Sequence, residues 1–265
     1  MILASALPVP LILSVLAAVA YAWPALRARQ MSLQMSHALV AIAWLLHGTV
    51  LAWGLVGEPA HFGFATALSV TAWLVAAVYA VETLVYPQLP TRWTLSAIGT
   101  VAVLLAYLFP GATLHATASV WLPVHLAFGV ACYGMFGMAV MHAWFMNHAE
   151  KRMRLAEDTG SGLPLLTLER LTYRFVGAGF VLLSATLIVG MLFGEVVYGY
   201  AWRWDHKTVF SLLSWVIFAV LLIGRASAGW RGRRAALMLY AGTGFLLLAY
   251  VGSRFVLEIL IGRTA

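Results

Sequence analysis

Charge is what this chain has least of. Asp, Glu, Lys and Arg together make up 9% of the 265 residues, against roughly 25% in a soluble domain. A water-exposed globular surface is therefore excluded. Cysteine is almost absent too: Cys132 stands alone, which rules out an internal disulfide framework, a Cys-x-x-Cys redox pair and a thiolate zinc site. No basic residue precedes the first apolar run, although "AYA" at 20–22 looks like a cleavage site and Arg27 and Arg29 follow. That polarity is wrong for a secretory signal. Pro110 and Pro123 fall near span ends, so the broken mid-span helices of a transporter are not evident. A nucleophile–base pair and a phosphate loop are also missing, so no catalytic residue is assigned.

What remains is apolar. Hydrophobic residues reach 63% and mean hydropathy is +0.92. A span needs about 20 mostly apolar residues, and eight stretches qualify: roughly 5–23, 36–56, 62–86, 93–110, 121–146, 172–196, 208–225 and 235–260. The expected fold class is all-α, a polytopic membrane helix bundle forming a single transmembrane domain over 1–265. The +7 formal charge does not indicate nucleic acid, which needs a basic face on a soluble fold. Arg27 and Arg29, Arg92, then Lys151, Arg152 and Arg154, and finally Arg225, Arg231, Arg233 and Arg234 occupy alternate connections. The positive-inside bias puts these in the cytoplasm and both termini outside.

The longest break is the inner loop at 147–171. It contains the turn sequence "DTGSG", then Pro164 and a leucine spacing (Leu165, Leu166, Leu168, Leu171) that predicts a short interfacial helix before span six. Gly190 and Gly194 form a small-xxx-small pair, which predicts close helix packing. Glu82 shares a helical stripe with Tyr79 and Tyr86, which suggests a tyrosine-bonded structural glutamate.

The stretch that breaks the pattern is "AWRWDHKTVFSLLSW" at 201–215, within an outer loop of about 195–207. Trp202 and Trp204 could be interfacial anchors, since amphipathic rings collect at headgroup level. The alternation of Tyr198, Tyr200, Trp202 and Trp204 with Gly199, Ala201 and Arg203 allows a second reading. An extended segment would put four rings on one side, a platform for a planar anionic ligand whose carboxylates meet Arg203. Asp205, just before an apolar helical run, is a predicted N-cap.

The segments "WRWDHKTVFSLLSWVIFAVLLIGR" and "GWRGRRAALMLYAGTGFLLLAYVGSRFV" resemble the tryptophan-rich "WWD" signature of the cytochrome c assembly family, which includes CcsA, CcmC and HemX proteins. The similarity is greatest to its YpjD-like branch of eight-span inner-membrane proteins. It covers mainly 121–258 and includes "VHLAFGVACY" and "LERLTYRFVGAGFVLL". The resemblance implies a bacterial cytoplasmic (inner) membrane protein that holds a non-covalent, b-type heme at the outer face. Its implied partners are membrane lipid, a periplasmic apocytochrome and other cytochrome assembly subunits.

An ionisable group inside a span calls for a functional hypothesis. His37, His61, His115 and His148 fall at span ends or in loops, where solvation explains them, and His142 reads as interfacial or packed. His125 lies one turn inside span five, on one helical face with Gly129, Cys132 and Phe136. Gly129 would leave room for a flat macrocycle there, and the resemblance matches His125 to the family's outer histidine before the tryptophan loop. His47, about ten residues or 15 Å deep in span two, is either a second iron ligand or a buried polar contact. Arg254 has a local contact with Glu258 as one reading and a heme propionate as the other. The expected site is thus His125 and His47 on iron, with Trp202, Arg203, Trp204 and Arg254 around the porphyrin.

The chain also departs from the family pattern. Ile223 stands where a histidine usually precedes the arginine closing the span, and "LEILIGRTA" has no second outer histidine. His206 replaces a usual proline and Thr208 a usual glutamate. These departures imply heme handling rather than complete heme ligation to cytochrome. A scaffold of the same fold that has lost heme is the alternative, and an electron-transfer subunit would need more embedded histidines.

Overall fold

The computed structural model describes residues 8–27, 30–57, 59–85, 93–113, 121–154, 164–195 and 204–261. Among them the fold is all-α apart from one minimal hairpin-like pairing. In chain order the elements are α1 (Pro8–Arg27), α2 (Leu33–Val56), β1 (His61–Phe62), α3 (Phe64–Val85), α4 (Trp93–Leu108), β2 (Ala112–Thr113), α5 (Trp121–Arg154), α6 (Leu165–Leu192), α7 (His206–Ala228) and α8 (Gly232–Leu247). A π-helical turn (Leu248–Gly252), one α turn (Ser253–Phe255) and a second π turn (Val256–Leu260) prolong α8.

Each expected span coincides with a helix, and among the described residues seven helical segments are long and apolar enough to cross a membrane. The fourth run is shorter. At 16 residues, α4 rises about 24 Å at 1.5 Å per residue, below a hydrocarbon core of about 30 Å. The expected interfacial helix is not separate: α6 runs unbroken from Leu165, with Pro164 at its cap position. Nothing between 165 and 172 breaks a helix, and Glu169, the acidic residue in this turn, is buried against protein. The "DTGSG" turn lies outside the described residues.

The chain divides into two compact units: Met1–Ala77, Thr91–His115 and Arg254–Ala265 form the first, and Val78–Pro90 and Ala116–Ser253 the second. In the first, α1 packs on α2 and α4, with Ala17, Tyr21, Ala43 and Val103 at its apolar centre. Ser32 caps α2, its hydroxyl accepting from the Met35 N–H at 3.3 Å. Trp44 on α2 and Trp73 on α3 stack with centroids 4.6 Å apart, and each indole N–H donates to the other's backbone carbonyl, at 3.0 and 2.9 Å. The antiparallel β1–β2 pair sets His61 opposite Thr113. Its backbones meet where Gly63 faces Gly111 (φ +87°): a Cβ on Gly63 would lie 2.6 Å from the Gly111 Cα.

In the second unit α5 lies along α6, and α7 along α8. Phe136 of α5 and Phe218 of α7 are both fully buried and stack at 3.8 Å, 6° from parallel. Glycine makes room on either side. A Cβ on Gly179 of α6 would sit 2.9 Å from the Phe136 ring, and one on Gly242 of α8 2.8 Å from Phe218. In lipid, helices associate through close packing rather than through escape from water, so this glycine–ring–ring–glycine sandwich is a principal contact of the bundle. Three polar ties join it: Tyr133 to the Leu246 carbonyl, Ser214 to the Gly242 carbonyl at 2.8 Å, and the Trp215 indole N–H to Ser184 at 2.8 Å.

Gly242→Ala should destabilise the protein by about 1–3 kcal/mol, the usual cost of overpacking, because the stacked rings have no space to retreat into. Gly244→Ala, whose added methyl meets nothing within 4 Å, is the matched control and should melt at or slightly above the wild-type temperature. Thermal unfolding in neutral detergent measures both.

Candidate functional site

His125 lies four residues after Trp121, at the start of α5. Trp121 stacks on Phe193 at 3.8 Å, 9° from parallel, which ties this end of α5 to the end of α6. One turn further in, His125 makes a hydrogen bond with the Thr186 backbone and packs on Gly190, where a Cβ would lie 3.3 Å from its Cε1. A neutral imidazole whose N–H meets a backbone carbonyl carries its lone pair on the other nitrogen, the form in which histidine ligates metals. Beside Gly129, an added Cβ would meet the Thr186 methyl of α6 at 3.8 Å, an ordinary contact distance. The Gly190–Gly194 expectation of close packing fits what is seen at Gly190.

Trp204 lies at the described edge of the tryptophan loop with 74% of its surface exposed. Trp202 and Arg203, with Tyr198 and Tyr200, lie outside the described residues. Asp205 is the N-cap of α7, its carboxylate accepting from the Thr208 N–H at 2.9 Å. Partial burial acting alone would raise this carboxyl. The Thr208 backbone and hydroxyl bonds, with Lys207 and His206 nearby, outweigh it and hold the group below the ordinary carboxylate range.

His47 and Arg254 belong to the first unit. His47 is fully buried, its Nε2 2.7 Å from the Ser69 hydroxyl and its Nδ1 3.5 Å from the Tyr21 hydroxyl. Both nitrogens have protein partners, which matches the buried polar contact of the two readings. Arg254 acts electrostatically on Glu258, and the Glu258 carboxylate also takes the Phe64 backbone N–H at the start of α3. Glu258 therefore caps a helix as well as facing its i−4 arginine.

Two polar clusters were not visible as clusters in the sequence. The Glu82 carboxylate meets His142 Nε2 at 2.9 Å, both side chains being buried. Its partner is thus a histidine on α5, where a tyrosine was expected; Tyr86 lies outside the described residues. The available signal was a matched depth, since an acid and an imidazole both sit near the inner ends of their spans. In the second cluster, Glu169 Oε1 receives Arg225 at 2.5 Å and Arg231 at 3.2 Å. Among the described residues no group of three or more His, Cys, Asp or Glu side chains could hold a metal ion.

The sequence profile of cytochrome C assembly protein matches residues 9–261, nearly the whole chain. The chain belongs to the cytochrome c assembly protein family. With its long apolar helices, it is a multi-pass membrane protein of that family. Among similar proteins, cytochrome c biogenesis protein CcsA of Synechococcus elongatus is 33% identical over 119 residues, 45% of this chain and 34% of the relative. The same-named protein of Gloeobacter violaceus is 37% identical over 92 residues, 35% of this chain and 27% of the relative. That of Prochlorococcus marinus subsp. pastoris is 28% identical over 173 residues, 64% and 52% respectively. The chain thus spans about a quarter to a half of the length of these curated relatives. No solved structure matches.

Asp205→Ala should cost about 1 kcal/mol at neutral pH, the usual value of an N-cap, while Asp205→Asn should retain most of it. Because the folded carboxyl titrates below its unfolded value, the charged cap contributes above pH about 4 and is lost as pH falls through the folded value. The wild-type advantage over Asp205→Asn in thermal melts should accordingly vanish under acid.

Proposed function

We propose that this protein handles heme in cytochrome c maturation, holding it at the outer face of the bacterial cytoplasmic membrane for an apocytochrome or another assembly subunit. The observation that carries this reading is His125. Its imidazole is oriented by the Thr186 backbone, at the end of a span closed by the Trp121–Phe193 stack. Such an imidazole fits the donor chemistry of heme iron, which takes a neutral nitrogen in a site shielded from water. Family membership and the names of the relatives supply the link to cytochrome c.

In this reading His125 would provide a nitrogen donor to the iron. Trp202 and Trp204 offer flat faces to the porphyrin, and Arg203 meets its carboxylates. Heme bound there would supply the group that is passed on, and the protein's own work is binding, orienting and excluding water. His47 and Arg254 belong to the first unit, and a role of either toward heme is tested by its own substitution. The activity is binding and presentation without a catalytic residue.

A second reading is supported by His47, whose two ring nitrogens already have partners inside the bundle, and by Ile223 at a usual histidine position. In that reading the fold is a scaffold that docks a periplasmic protein through its aromatic loop.

Absorption spectra of the detergent-purified protein, produced with ample heme, separate the two. The heme reading expects a Soret band that falls several-fold in His125→Ala and returns with added imidazole. His47→Ala should shift the band if His47 ligates iron and leave it unchanged if His47 only bonds Ser69 and Tyr21. A wild-type spectrum that stays empty after hemin titration would overturn the heme reading and leave the scaffold.

A further inference from the structure

The second unit contains a cleft that the heme reading does not use. It lies at the start of α6 and the end of α7, encloses about 510 Å³, and is lined by Glu169, Arg170, Tyr173, Arg174, Arg225 and Arg231. His125 is at the other end of α6, since Glu169 and Gly190 are 21 positions apart, about 31 Å at 1.5 Å per residue.

The cleft holds four guanidinium groups and one carboxylate. Glu169 is nearly buried, and its Oε1 is already taken by Arg225 and Arg231, at 2.5 and 3.2 Å. Arg225 lies over the Tyr173 ring at 4.7 Å, and the Tyr173 hydroxyl donates to the Trp230 carbonyl at 2.7 Å. Two arginines are therefore set in place by a carboxylate and an aromatic face. Arg170 and Arg174 are exposed, one helical turn apart on α6, and among the described residues no carboxylate pairs with either. Like charges at i and i+4 destabilise a helix. An anion between these two and the fixed pair would relieve that repulsion and leave the Glu169 contacts untouched.

We infer that this cleft binds a phosphate-bearing anion, with the headgroup of an anionic phospholipid as its first candidate. Guanidinium forks match phosphate oxygens in bidentate geometry. The cleft adjoins the basic α7–α8 connection, on the side the positive-inside bias places in the cytoplasm, where anionic lipid is concentrated. Leu166, two-thirds exposed, lies at the same rim and offers an apolar surface to an acyl chain. Free phosphate carries the same charged group without that chain. The inference rests on α6 to α8 alone and stands apart from the heme reading.

The test is thermal unfolding of the full chain in neutral detergent, titrated separately with short-chain phosphatidylglycerol, short-chain phosphatidylcholine and inorganic phosphate. Phosphatidylglycerol should raise the melting temperature saturably while phosphatidylcholine does not. In Arg170→Gln/Arg174→Gln the midpoint of that titration should move at least tenfold higher. Arg170→Lys/Arg174→Lys, which retains charge but loses the fork, should fall between, and it serves as the test should the glutamine variant not fold. Protection by phosphate equal to that by phosphatidylglycerol assigns a soluble anion, and protection by the lipid alone assigns a headgroup. Equal protection by both lipids, or an unchanged midpoint in both double variants, overturns the inference.

Discussion

Lipid offers no hydrogen bonds, so polar groups inside a span must find partners on other helices. Much of this bundle follows from that constraint. Glu82 has His142, Glu169 has Arg225 and Arg231, and His47 has Ser69 and Tyr21. Each partnership joins different helices, so satisfying a polar group and fixing a helix pair are one event. The glycines supply the other half. With no gain from removing apolar surface from water, helix faces must approach closely enough for dispersion to matter. Gly179 and Gly242 allow this around the Phe136–Phe218 stack.

This division of labour also shapes the candidate site. His125 sits between a closely packed helix face and the span end, where packing on Gly190 holds the ring and the Thr186 backbone selects its tautomer. On the same unit the Asp205 cap starts α7.

The helical runs were legible in the sequence because a membrane span is a local property: about 20 apolar residues reveal it without knowledge of neighbours. Asp205 was legible for the same reason, since a cap and the helix it starts are contiguous. The partners of Glu82 and Glu169 were not. His142 is 60 residues from Glu82, and Arg225 is 56 from Glu169, distances over which apolar periodicity carries no pairing information. Arg225 and Arg231 read as topology markers, which hid their contact with a buried acid. The merging of the 165–171 stretch into α6 was missed because Pro164 and the leucine spacing after it fit a separate short helix as well as the first turns of a long one.

The paired tryptophans of α2 and α3 carry a consequence of their own. Each indole donates to the backbone carbonyl of the residue that bears the other, so the two bonds are reciprocal. Were one helix to slide along the other by a single 1.5 Å step, both bonds and the stack would be lost together, with no nearby offset that restores them. The pair works as a detent against axial sliding. His47 and Ser69 lie within one turn of it on the same two helices, so the detent also sets the imidazole opposite its hydroxyl.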